Sequence, residues 1–324
     1  MRLRLPRHTR ELPPAVSFAV LLLFVGIAAP SFFSGGNVRD LALDNAPKLL
    51  VAVGSTLVIL TGEIDISVGS QFAVCSVAAG WFAKAGLPMA LVPLAVLTVG
   101  ATTGAINGFL VARLGLPSII VTLATLVAWR DGLRWATQGA WVQDLPIGFQ
   151  WFGLPPYAAQ SLIVAVSLGL TAGFAWLLRN VTLGRALYAV GSDREAARLA
   201  GIEPPRIVLI AFSLTGALTA LAAALNAVRF AAVPSNAGMG LELETIAAVV
   251  VGGVSITGGR GSLAGTVIGV SLLGTISTAL AFVGISPQWT QAIQGAIILA
   301  ALATDVALGR LEHYVRGISR AAVR

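Results

Sequence analysis

Apolar runs of about 20 residues, each able to cross the hydrocarbon core of a bilayer as a helix, recur along the whole sequence. Hydrophobic residues make up 56% of the 324 residues, charged residues only 11%, and the mean hydropathy is +0.87. The alternating ten-residue segments typical of membrane β-barrels are absent from the sequence. The pattern therefore predicts an all-α, polytopic membrane protein.

We predict about ten transmembrane helices within a membrane domain of residues 14–308, flanked by tails at 1–13 and 309–324. The predicted spans are 14–33, 46–61, 66–84, 87–111, 117–137, 157–178, 207–230, 243–257, 262–283 and 287–308. The eighth run is short for a full crossing, which suggests a tilted, broken or re-entrant helix. With the N-terminus inside, fifteen Lys and Arg residues fall on the inner side and six on the outer side. This bias predicts that both termini are cytoplasmic.

Residues 183–202 form a short, charged segment between two apolar runs, on the predicted cytoplasmic side. Ser192 and Glu195 have the spacing of a capping box, and Gly201 stands where a left-handed C-terminal cap belongs. A helical face is predicted for Ala196, Leu199 and Ala200. Because a two-turn helix is too short to be stable alone, it must lie on its own membrane domain or on another protein.

The segment TGEIDISVGS, residues 61–70, carries acids between the second and third spans. Glu63, Asp65 and Ser67 alternate with apolar residues, which favours an extended break over a continuous helix. Acids at membrane depth are costly and usually functional. The alternative is that they are solvated at the inner interface, with Asp65 capping the third span.

A second candidate region, residues 241–269, is rich in glycine around Ser255 and Thr257. It lacks the lysine and spacing of a P-loop, so no nucleotide site is predicted. Glu242 and Glu244 are interpreted as the start of the eighth span. Asn107, within the fourth span, could line a pathway or bond a neighbouring helix. Thr61-Gly62 and Gly69 also match Thr257-Gly258 and Gly265 at a constant offset, and repeats are common in transporters.

Glycines spaced four residues apart predict close helix packing in three spans. These stripes are Gly100, Gly104 and Gly108; Gly169 and Gly173; and Gly265 and Gly269. Enzyme chemistry is disfavoured, because His8 and His313 lie in the tails and Cys75 is the only cysteine. The net charge of +7 arises from cations between the spans, which indicates orientation and not nucleic-acid binding.

Four motifs resemble the ribose-type sugar permeases, the membrane subunits of bacterial binding-protein-dependent ABC importers. They are VGSTLVILTGEIDISVGS (53–70), NGFLVARLGLPSIIVTLAT (107–125), LGRALYAVGSDREAARLAGI (183–202) and AAVVVGGVSITGGRGSLAGTVIG (247–269). The resemblance covers about residues 17–308. TGEIDISVG and LGLPSIIVTLAT are more similar to the branch that serves rhamnose or autoinducer-2-like ligands.

This resemblance implies a type II ABC importer-like permease in the bacterial inner membrane, surrounded by lipid, that moves a small sugar of the ribose, xylose or rhamnose kind. Its partners would be two ATPase subunits, a second permease, identical or paralogous, and a periplasmic or lipoprotein sugar-binding protein. ATP would be used by the ATPase, so no cofactor or metal is expected on this chain. The family's coupling segment, which docks on the ATPase, is matched by Gly191, Glu195, Ala196, Ala197, Gly201 and Ile202, with Asp193 and Arg198 between them. The start Ser192-Asp193-Arg194 departs from the Gly-Asn type of the family and should alter local contacts.

Glu63, Asp65, Ser67, Asn107, Ser255 and Thr257 are the predicted translocation or gating residues. Two other classes of transporter remain as alternatives. An ion-coupled secondary transporter would need an ionisable relay near the midplane, where the predicted spans carry no clear acid, base or histidine. A passive channel would need a ring of charges or carbonyls around a pore.

Overall fold

The computed structural model describes residues 11–284 and the isolated positions 289, 292, 295 and 296. This part of the chain is helical, with a single β-bridge between Val142 and Val233. Its helices are α1 (Leu12–Ala28), α2 (Gly35–Leu60), α3 (Val68–Lys84), α4 (Val92–Ala112), α5 (Ser118–Thr137), α6 (Pro156–Asn180), α7 (Thr182–Ser192), α8 (Arg194–Leu199), α9 (Pro204–Ala227), α10 (Leu241–Val251) and α11 (Leu263–Phe282).

Five of these helices, α2, α4, α6, α9 and α11, are long and apolar enough to cross a membrane. Most of the predicted tenth span at 287–308, most of the N-terminal tail and all of the C-terminal tail lie outside the described residues. Helix α10 has 11 residues and is about 16 Å long, so it is too short for a full crossing, as the sequence suggested. The structure therefore supports a polytopic helical protein.

Helix α2 begins at Gly35, eleven residues before the predicted span at 46. The prediction followed hydropathy, which falls at Asn37, Arg39, Asp40 and Asp44. Backbone hydrogen bonding continues through these polar residues, because their side chains do not prevent a helix from forming. The span and the helix that contains it therefore have different limits.

Helix α9 lies at the centre of the bundle and packs on α4, α2 and α3. Gly100 and Gly104 of α4 bring the backbones together: a Cβ on Gly104 would overlap the carbonyl oxygen of Phe212, and one on Gly100 that of Gly216. A Cβ on Gly269 of α11 would likewise overlap the carbonyl oxygen of Ala248. Two of the three predicted glycine stripes thus mediate close helix contacts.

The third stripe has no such role within the described part of the protein. No atom lies within 4 Å of a Cβ placed on Gly169 or Gly173 of α6. The same outward face includes Leu168 and Trp176, which are 53% and 63% exposed. The packing predicted for these two glycines is therefore wrong within the described bundle, since spacing alone does not show which helix face is covered.

Candidate functional site

The segment 183–202 folds as two helices, α7 and α8, separated by Asp193. The backbone of Asp193 is extended, and its carboxylate accepts hydrogen bonds from the amides of Glu195 (2.9 Å) and Ala196 (3.0 Å). Asp193 is therefore the N-cap of α8, and the predicted capping box of Ser192 and Glu195 is wrong. Ser192 cannot serve as the cap because it is the last residue of α7. Gly201 has φ +82°, the left-handed conformation predicted for it.

Helix α8 presents most of its side chains to the outside of the described chain. Only Ala197 is buried, while Leu199 is 80% exposed. Arg198 and Glu195 form an exposed ion pair of 2.7 Å. The predicted face of Ala196, Leu199 and Ala200 therefore points away from the bundle, and Ala197 makes the contact with it. An exposed leucine beside small residues and charges suits a protein groove.

Three backbone segments meet beside the start of α8, and we call them the glycine junction: residues 60–62 at the end of α2, residues 191–192 at the end of α7 and residues 258–259 in the turn before α11. The amide of Gly259 donates to the carbonyl of Leu60 at 3.0 Å. A Cβ on Gly191 would overlap that same carbonyl, and one on Gly258 would lie 2.7 Å from the nitrogen of Gly62. The two turns that match in sequence, Thr61-Gly62 and Thr257-Gly258, therefore lie against each other, and there is no space for a Cβ at Gly258.

An ion pair connects α8 to the segment between α2 and α3. Arg194, the first residue of α8, pairs with Glu63 and also approaches the carbonyl of Thr61 at 3.5 Å. The Glu63 side chain is 11% exposed and that of Arg194 is 52% exposed. The ion pair therefore joins a mostly buried carboxylate, that of Glu63, to the half-exposed side chain of Arg194.

Residues 63–66 are non-helical, as predicted, and lead to a buried polar cluster at the start of α3. Asp65 accepts hydrogen bonds from the Ser67 hydroxyl (2.5 Å), the Ser67 amide (2.9 Å) and the Gln71 side-chain amide (3.1 Å). The Ser67 hydroxyl in turn accepts from Asn107 and Gln71, both at 2.8 Å. The cluster thus brings together three predicted residues, Asp65, Ser67 and Asn107.

Burial tests one of the two interpretations of Asp65, the solvated interfacial acid. Asp65 is 2% exposed, so the alternative of a solvated interfacial acid is wrong for this residue, although it does bind an amide at the start of α3. Asp65 lies between helices, and burial raises its pKa to about 6, while hydrogen bonds from Ser67 and Gln71 oppose that rise. The residues that bind Asp65 in the cluster are neutral. Burying a carboxylate among neutral groups costs free energy, so the position of Asp65 depends on its hydrogen bonds.

The segment 61–67 is also bound to α5. The amide of Ile64 donates to the Ser118 hydroxyl at 3.3 Å, and the Ile64 carbonyl accepts from Thr122 at 3.4 Å. Sequence reasoning missed Gln71, Ser118 and Thr122, and it singled out Arg194 only as part of a start that departs from the family. A polar residue one turn after a break is the signal for Gln71, but the other three become relevant only through the tertiary fold.

The second predicted group, Ser255 and Thr257, lies in the turn between α10 and α11. Their hydroxyls are 3.0 Å apart, and the turn is closed by a 2.9 Å bond from the Ser255 amide to the carbonyl of Arg260. Glu242 and Glu244 occupy the first turn of α10, as predicted. Glu244 also pairs with Lys48 of α2 at 2.6 Å, a contact that sequence reasoning missed.

Comparison with known proteins gives one family and a consistent set of relatives. Residues 37–302 match the family described as branched-chain amino acid transport system / permease component. The relatives include the autoinducer 2 import system permease protein LsrC of Salmonella typhi, 34% identical over 95% of this chain and 88% of that protein. The LsrC proteins of Escherichia coli O157:H7 and Yersinia pseudotuberculosis (strain IP 31758) are 36% and 33% identical, over 95% and 99% of this chain and 90% and 93% of theirs. No solved structure matches.

Proposed function

The chain belongs to the family of branched-chain amino acid transport system permease components, and from this premise we infer that it is the permease subunit of a bacterial ABC importer. The observation that carries this function is the similarity to import-system permeases along 95% or more of the chain. Those relatives are named for autoinducer 2. A small, sugar-like solute, with autoinducer 2 among the first to test, is therefore the proposed cargo.

The proposed assembly has two permeases, of which this chain is one, two ATPase subunits and a periplasmic or lipoprotein binding protein. ATP would be bound and hydrolysed by the ATPase subunits, so this chain would hold no cofactor. Ten spans with both termini in the cytoplasm are proposed for the inner membrane. The excess of Lys and Arg on one side, fifteen against six, supports this orientation.

Helix α8 is the proposed contact with the ATPase. Its support is the exposed position of Leu199 and of the Glu195–Arg198 pair, together with the anchoring of Arg194 and Ala197 in the chain. ATP binding would shift the permease between inward- and outward-open states only if the ATPase contacts α8 differently in those states.

Association with the cognate ATPase tests this proposal. Leu199→Asp and the charge reversals Glu195→Lys and Arg198→Glu are expected to reduce co-purification of the ATPase strongly, because each places a mismatched charge on the docking surface. Ile147→Asp is the matched control: Ile147 is also an exposed aliphatic residue, but it lies in the loop between α5 and α6, which the proposed orientation places on the outer side. Full ATPase association in all three α8 variants would contradict docking through this helix.

The alternatives of an ion-coupled transporter and a passive channel are not favoured by the family. A further distinction is energetic: uptake through the assembled importer should require ATP and persist after ion gradients are collapsed.

A further inference from the structure

We propose that Glu63 and Arg194 form a transmission link, through which movement of α8 displaces the segment 61–67 and thereby α5. This inference rests on the proposed docking of α8 and assigns the path inside the permease. Glu63 and Arg194 act as positioning residues, since neither needs to touch the transported solute.

The first step of the path is the contact between α8 and the segment 61–67. Arg194 opens α8 and binds Glu63, 131 residues away in the chain. Beside this pair, the glycine junction packs the backbones of Gly191, Gly258 and Leu60 without space for a Cβ. Such close backbone contacts transmit displacement, because packed groups have no free volume in which to absorb it.

The second step is the contact between the segment 61–67 and α5. The backbone of Ile64, next to Glu63, is bound on its amide side by Ser118 and on its carbonyl side by Thr122. These two residues lie in the first turns of α5. A shift of Glu63 therefore pulls on the end of α5 through two hydrogen bonds.

The third observation is that most residues of α5 are not buried within the described bundle. Only Ser118, Val121, Thr122 and Leu133 are buried among its 20 residues. Two of these four are the residues that bind Ile64. The far half of α5 is held by the buried Leu133 and by Arg130, which donates hydrogen bonds to the backbone carbonyls of residues 237 and 238. A displacement at Ser118 and Thr122 would therefore tilt α5 about its far end.

The test follows α5 with spin labels in the assembled, membrane-reconstituted importer. Val20→Cys in α1 and Ile120→Cys in α5 place labels on side chains that are 58% and 65% exposed, and native Cys75 is buried. We expect the distance between the labels to change when ATP is trapped on the ATPase. This readout requires no knowledge of the solute.

Glu63→Gln and Arg194→Gln are each expected to lower the shifted fraction about fivefold, the scale of a typical coupling energy, while the ATPase stays bound and hydrolyses ATP. The double variant should be no worse than either single variant, because both remove the same interaction. Arg134→Gln, which affects an exposed ion pair with Asp131 at the other end of α5, is the control and should keep the full shift.

Ser118→Ala tests the contact between the segment 61–67 and α5 while leaving the ion pair intact. It keeps the proposal testable if a glutamine variant fails to assemble. It should also reduce the shift. Three results would overturn the link. The first is an unchanged distance shift in the glutamine variants and in Ser118→Ala, and the second is additive losses in the double variant. The third is the absence of any ATP-dependent distance change in the native sequence. Loss of ATPase binding in the native complex would instead contradict the proposed function.

Discussion

At the scale of single residues, the choice of helix cap shows what a local pattern misses. Ser192 and Glu195 have the right spacing, but Asp193 makes the two hydrogen bonds to the helix start. Both serine and aspartate are good caps, so the spacing did not discriminate between them. The deciding fact is that α7 continues through Ser192, which leaves Asp193 as the first residue with an extended backbone.

Replacing the cap should weaken ATPase binding. Asp193→Ala removes both hydrogen bonds, and a lost cap costs about 1 kcal/mol, which is roughly a fivefold loss of affinity if α8 must be folded to dock. Ser192→Ala is the control and should have a smaller effect. Titration of the purified ATPase against each permease variant measures both, and equal effects would contradict the assignment of the cap.

Replacing glycine by alanine should distinguish the packed glycine stripe of α4 from the exposed glycine stripe of α6. Gly104→Ala forces α4 away from Phe212 and is expected to destabilise the protein by about 1–3 kcal/mol, the usual cost of overpacking. Gly169→Ala fills open space in a helix and should be neutral or slightly stabilising, because alanine favours the helix. Thermal unfolding of the two variants in detergent makes the comparison; equal stability would show that α4 and α9 pack less closely.

At the scale of elements, the break between α2 and α3 is the feature that the sequence located best. The alternation of Glu63, Asp65 and Ser67 correctly indicated non-helical backbone, whereas the burial of Asp65 was left open by the sequence and is given by the structure. The first residue of α2 was harder to predict from the sequence. Hydropathy marks only the apolar residues that would cross the membrane, whereas the hydrogen-bonded helix extends beyond them. Buried polar groups of such a break must find partners in the protein, which explains the cluster of Ser67, Gln71 and Asn107.

Removing the acid of this cluster should loosen the break. Asp65→Ala leaves the buried hydroxyl and amide of Ser67 without their acceptor, and each such group costs about 1–3 kcal/mol. It also removes one of the two hydrogen bonds that the Gln71 side-chain amide donates. We expect a clear drop in the unfolding temperature in detergent. Asp131→Ala, at an exposed aspartate of α5, should leave that temperature almost unchanged; an equally small effect at Asp65 would mean that the cluster does not stabilise the break.

At the scale of the whole molecule, α9 holds the bundle together from its centre, while α5 and α6 present mostly exposed faces. The exposed surface of the described chain also includes the charged side chains of α8. The proposed mechanism divides the work: the ATPase supplies energy, α8 receives it, and the bundle changes shape around the pathway.

This division predicts the behaviour of the isolated chain. Purified and reconstituted in vesicles without its ATPase, it should not concentrate autoinducer 2 or ribose, with or without an ion gradient. Adding the ATPase, the binding protein and ATP should restore uptake against a gradient of the accepted solute. Concentrative transport by the chain alone would contradict the proposed role as an ABC permease.

The helical membrane class, the break at 61–67 and the family motifs were all accessible from sequence alone. They depend on hydropathy and on local backbone preferences, which act between residues close in the chain. Arg194 with Glu63, Ile64 with Ser118, and the open face of Gly169 required the tertiary structure. Residues far apart in the chain meet only after the helices pack, and hydropathy specifies neither which helices become neighbours nor at what rotation.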